Sequence, residues 1–171
     1  MGLATDYDLA GMTLIVKDIK TGAATPGQVS NVRQTTPAGS TLTVTRATHA
    51  GRTILLDTAS GSTITLPAAA GTGDTYRFFT SVAVTSNNHI IKVANASDTM
   101  TGMITGSTLA GTGSFVEAAG GTDDTITMNG STTGGLIGSQ YEITDIATNL
   151  WNVKGLNVGS GTMVSYLTAT V

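Results

Sequence analysis

The chain has 171 residues, a formal net charge of −3 and only 11% charged residues, against roughly 25% in an ordinary soluble domain. Its eight Lys and Arg are scattered, which argues against the clustered basic surface that nucleic-acid binding needs. It contains no Cys, which excludes disulfides and thiolate metal sites, and no apolar run long enough for a membrane-spanning helix.

Threonine makes up roughly a fifth of the chain. It is β-branched, so it favours extended backbone, and its hydroxyl keeps an exposed strand face wet without charge. The start, Met1-Gly-Leu-Ala-Thr-Asp6-Tyr-Asp8, is acidic and lacks the regions of a secretory signal. Asp6 replaces the Ser or Thr that a myristoylation motif requires, and a protein used without general secretion is expected. Residues 1–39 hold a large share of the charge and read as an N-terminal arm or the first strands of the domain. Leu14-Ile-Val16 reads as a short strand, the stretch 21–27 as a loop and 29–34 as a strand or a helical turn. Leu3, Tyr7, Leu9 and Met12 are spaced apolar anchors for docking on a partner's sheet edge or groove, or for pairing within the protein's own domain.

From Ser40 the pattern has period two. Leu42, Val44 and Arg46 alternate with Thr41, Thr43 and Thr45, which places a threonine row on one face. Ile64 and Leu66 alternate with Thr63 and Thr65 until Pro67 stops the strand. Further strands are expected at 53–57, 76–84, 89–93, 100–104, 114–117, 125–128, 140–146, 150–154 and 162–171. Turn residues separate them: Ser86-Asn-Asn88, Gly111-Thr-Gly113, Gly120-Gly121, Asn129-Gly130, Gly134-Gly135 and Gly159-Ser-Gly161. Asn129-Gly130 suits a type I′ hairpin. About ten short strands at such spacing predict an all-β fold, an antiparallel β-sandwich or barrel-like domain over 40–171. No repeat of fixed length is present, which argues against a solenoid or propeller. Eight aromatic residues are a thin supply for this core, and subunits completing each other's cores, as in a homotrimer, are one solution.

The candidate chemistry is sparse. His49 and His89 sit beside turn residues and are expected at the surface, and no Gly-x-Ser-x-Gly elbow accompanies them. Asp123 and Asp124 offer oxygen ligands but not the spacing of an EF-hand, so a solvated acidic turn is expected rather than a calcium site. Asp6 and Asp8 flank Tyr7 and diverge in an extended chain. Glu117 and Glu142 are the only glutamates, and nothing brings them together as a glycosidase pair. The paired glycines at Gly71, Gly111 and Gly159 lack the third glycine of a dinucleotide fingerprint. Trp151, in Leu150-Trp-Asn-Val153, is expected in the core, with a sugar-stacking surface position as the alternative. No catalytic centre, cofactor or metal is expected.

One block carries a resemblance. Ala50-Gly-Arg-Thr-Ile-Leu-Leu-Asp57-Thr-Ala-Ser-Gly-Ser-Thr-Ile-Thr-Leu-Pro67-Ala-Ala-Ala-Gly71-Thr-Gly-Asp-Thr-Tyr-Arg-Phe78 resembles a β domain recurrent in structural proteins of tailed bacteriophages. The likeness continues in 85–102, in Tyr141-Glu-Ile-Thr-Asp-Ile-Ala, in Leu150-Trp-Asn-Val-Lys-Gly155 and ahead of Thr162. It implies a virion protein similar to head decoration (cement) proteins and fibre domains, and it carries no catalytic motif. The expected role is capsid decoration: a homotrimer on the outer head surface, assembled in the host cytoplasm. Its expected partner is the major capsid protein, with no nucleic acid and no membrane. The alternative is a head-fibre or tail-fibre module that recognises host glycan.

Overall fold

The structure, a computed structural model, describes residues 35–111 and 114–171. The strands follow one another as β1 (Thr35–Pro37), β2 (Thr41–Thr43), β3 (Thr53–Leu56), β4 (Ser62–Thr65), β5 (Thr75–Thr80) and β6 (His89–Lys92). Then come β7 (Thr99–Thr108), β8 (Ser114–Gly120), β9 (Thr125–Met128), β10 (Gln140–Ala147), β11 (Leu150–Gly159) and β12 (Leu167–Thr168). A single helical turn, α1 (Arg46–His49), interrupts them. The chain divides into the units Met1–Val32 and Arg33–Val171, and the described residues fall in the second. Leu3, Tyr7, Leu9 and Met12 lie outside the described residues.

Two sheets form the all-β body. One has seven strands in the order β1-β3-β5-β10-β11-β7-β8, the other five in the order β12-β9-β6-β4-β2. The all-β class agrees with the period-two pattern, but the pairing is mixed rather than purely antiparallel. From β1 to β6 the chain alternates between the sheets, so β1, β3 and β5 pair in parallel in one and β2, β4 and β6 in the other. This is a short parallel coil, a winding that the lack of a fixed repeat had argued against. Its turns are unequal: Thr35 pairs with Thr53 and Thr53 with Arg77, steps of 18 and 24 residues. Loops of different length erase the sequence period while the strands stay in register.

The second half closes the sandwich with antiparallel pairs and one long parallel pair, β7 with β11. β10 lies against β5 and β9 against β6. β10 and β11 form a tight hairpin through Thr148 and Asn149, the latter at φ 61°. Asn129-Gly130 makes no such hairpin. It opens the long connection from β9 to β10, where Asn129 Oδ1 accepts from Ser131 N and Thr133 N. The strand expected over 162–171 shrinks to Leu167–Thr168. Its neighbour Tyr166 is fully buried, and its hydroxyl donates to the Ile104 carbonyl at 2.8 Å.

Alternation decides which side chains fill the space between the sheets. Ile54, Leu56, Phe78, Ile143, Trp151 and Ile104 from the larger sheet meet Ile64, Ile91 and Ile126 from the smaller, all at most 1% exposed. Trp151 is a core residue, and its ring meets Tyr76 edge-on at 5.8 Å. Aliphatic side chains thus make up the short aromatic supply, and this core is covered without a second chain.

Candidate binding surface

The outward side chains of the seven-stranded sheet fall into three rows that cross the strands. Strand register aligns them, because directly paired residues point to the same face. The middle row reads Thr53, Arg77, Glu142, Lys154, Met103, Ala118. Beside it runs Leu55, Phe79, Gln140, Leu156, Thr105, Val116. On its other side lie Thr75, Thr144, Asn152 and Thr101, with the Thr75 and Thr144 hydroxyls 3.1 Å apart.

The middle row is a charge triad. Glu142 sits between two cations, with Arg77 Nε at 2.9 Å and Lys154 Nζ at 2.8 Å. The hydrogen bond from Lys154 holds the Glu142 carboxyl below its usual range; burial opposes this, and the charges of Lys154 and Arg77 add to it. The row beside it is apolar at both ends. Leu156 and Val116 are 36% and 53% exposed, and Met103, from the charged row, reaches 55%. A groove of about 530 Å³ runs where the two rows meet, lined by Arg77, Phe79, Gln140, Glu142, Lys154 and Leu156 among others.

Among the described residues this face also ends on an unpaired strand. β8 is a seven-residue edge, while the other three sheet edges, β1, β2 and β12, are two or three residues long. Short edges and a proline, here Pro37 in β1, blunt strand addition; β8 has neither device.

The outer face of the five-stranded sheet is different. Its rows read Thr41, Thr63, Ile90, Thr127 and Thr43, Thr65, Lys92, Thr125, Thr168. The threonine row expected at 41–45 is real, with Thr41, Thr43 and Thr45 all exposed. Arg46 leaves that pattern to open α1, where its guanidinium pairs with Asp74 and reaches Asp145.

The remaining polar candidates serve the fold. Both histidines are buried rather than at the surface, because each turn packs back on the sheets. His49 Nδ1 lies 3.0 Å from Thr45 N, closing α1. His89 is fully buried with Nε2 3.2 Å from the Val82 carbonyl, and desolvation holds its pKa below 6.5. Asp123 accepts from Gly120 N at 2.7 Å. Asp124 is buried, not solvated, and accepts from Thr170 N at 2.8 Å and Val171 N at 3.1 Å, tying down the C-terminus. Glu117 accepts from Tyr166 N at 3.0 Å. It shares its register position with inward-facing Ile104, so it lies on the opposite face of the sheet from Glu142.

Sequence reasoning missed the role of Asp145. This buried carboxylate accepts from Ala70 N at 3.0 Å, Gly71 N at 2.7 Å and Thr72 Oγ1 at 2.9 Å. Burial would raise its pKa, but the hydrogen bonds from Gly71, Ala70 and Thr72 outweigh that and leave it lowered. Asp98 accepts from Ala69 N at 3.1 Å. The turn after Pro67 is therefore an anion cradle filled by the protein's own carboxylates.

Among the described residues no group of three or more His, Asp or Glu is placed to hold a metal ion, and no helix is long and apolar enough to cross a membrane. No protein-family model, curated protein or solved structure matches the chain.

Proposed function

We propose that the protein is a non-catalytic virion component, a decoration protein that binds the outer surface of a bacteriophage head and stabilises the shell. The observation that carries this reading is the contrast between the two outer faces: threonine on one sheet, an ion-paired row beside an apolar row on the other. That is the pattern of a building block that attaches by one side. The resemblance of 50–78 and of the later segments to phage structural domains supports the virion setting. A ligand that binds only the assembled shell stabilises that state by linkage. A homotrimer adds multivalency, so weak single contacts sum to firm attachment.

The glycan-recognition alternative draws no support from the described tyrosines or the tryptophan. Tyr76, Tyr141, Tyr166 and Trp151 are all at most 2% exposed, so none offers a ring for a sugar to stack on. Mixing purified protein with undecorated capsids tests the proposal. Co-sedimentation at near-stoichiometric occupancy, with capsids that resist heating better than bare ones, is expected. Failure to sediment with the shell rejects it.

A further inference from the structure

We propose that the outer face of the seven-stranded sheet docks an extended acidic peptide, with two of its carboxylates received by Arg77 and Lys154. The occupant's chemistry follows from charge. The chain has eleven acids and eight Lys and Arg, yet among the named outward positions of this face two cations surround a single carboxylate, Glu142. The face is locally positive on a protein of net charge −3.

Its length follows from spacing. Arg77 lies on β5 and Lys154 on β11, with β10 between them, so their backbones stand about 9–10 Å apart. Glu142, from the strand between them, already bridges both heads with its two oxygens, so a chain laid over the face meets each head on its outer side with a carboxylate of its own. Two carboxylates at alternate positions of an extended chain are about 6.8 Å apart, and the long side chains of Arg77 and Lys154 close the difference. Such a chain lies along the groove, with apolar side chains on Phe79 and Leu156. Glu142 is then the opposing element: it neutralises the cations while the face is empty and repels the incoming carboxylates.

The inference rests on the capsid reading only for the identity of the protein that carries the peptide, and its test uses none. A fluorescein-labelled peptide of sequence GEFELG is titrated with the full chain and followed by anisotropy, beside its lysine counterpart GKFKLG and an oligoglucuronate. The acidic peptide is expected to bind, the lysine peptide not, and binding is expected to weaken as salt screens the charges. R77Q/K154Q should lower the affinity about tenfold or more, because both cationic hydrogen-bond donors to the peptide carboxylates are lost. E142Q should tighten binding several-fold, a gain that a merely structural triad does not predict. No anisotropy rise at the highest soluble protein concentration, equal binding of the lysine peptide, or an unchanged affinity in folded E142Q overturns the proposal. Binding of the oligoglucuronate alone overturns it in favour of an acidic glycan. If the peptide binds but capsids do not, the docking face stands and the virion reading falls; the reverse result leaves decoration and removes this face.

Discussion

The two sheets share one core and one alternating sequence pattern, yet their outer faces have opposite characters. On the five-stranded sheet Thr41, Thr63, Ile90 and Thr127 align across four strands, and only Lys92 brings a charge into the rows. On the seven-stranded sheet the same alternation brings Arg77, Glu142 and Lys154 side by side and leaves Leu156, Met103 and Val116 exposed. Threonine hydroxyls keep a sheet hydrated and offer no long side chain to a partner. Ionic side chains beside apolar ones supply orientation and contact area together, as interfaces do.

The heaviest blow to both faces is to remove what backs them. Trp151→Ala empties a fully buried site in β11 and should cost about 3–5 kcal/mol, read by urea or thermal unfolding. Because one core supports both sheets, the two faces should be lost in a single transition. Separate transitions would break the comparison by making the sheets independent.

Gly155→Val strikes one sheet only. A Cβ there meets the Gln140 carbonyl oxygen at 2.5 Å and Tyr141 Cδ1 at 2.9 Å, so overpacking should cost about 1–3 kcal/mol and push β11 from β10. Amide exchange should accelerate in β10 and β11 and stay slow in β4 and β6. Equal acceleration in both sheets would contradict a local effect.

Acid should act on the fold in two stages. His89, in β6, is held below its ordinary pKa of 6.5 by burial, so it is neutral when folded and takes up a proton in the unfolded chain. Its contribution is fully present above pH 6.5 and declines as pH falls from there toward the lowered folded value. Glu142 and Asp145, in β10, have folded pKa values below their ordinary 4.5 and 3.8, so their contributions hold above those values and are lost as pH falls through the depressed ones. Melting temperature against pH should therefore show a first decline that His89→Leu abolishes and a second, more acidic one that it leaves. A single decline untouched by His89→Leu would refute this.

The smallest effect belongs to the threonine face. Thr63→Ser removes one half-buried methyl group from an outer row and should change stability by no more than about 0.5 kcal/mol. Binding to capsids should be unchanged; a loss there would move the attachment site to the other sheet.

Much of this was legible in the chain. Thr125–Met128 was expected as a strand and is β9, and Ser62–Thr65 ends at the Pro67 stop. Trp151 was expected in the core and lies there. Arg77, Glu142 and Lys154 each fall in an expected strand, but nothing in the sequence marked them as neighbours, because Glu142 lies 65 residues after Arg77 and 12 before Lys154. The histidines misled because a turn residue beside an imidazole says how the backbone bends, not what packs over it. Asp145 went unread because its donors lie 73 to 75 residues earlier in the chain.

Sequence alone determined the all-β class, most strand positions and the threonine row at 41–45, since period, β-branching and turn chemistry act between residues a few positions apart. Tertiary structure alone decided which strands became neighbours, the parallel winding of the first half and the row in which two cations enclose a carboxylate. Register is chosen by the packing of Ile54, Ile64, Trp151 and their partners between the sheets. That choice brings distant segments together, and no local rule contains it.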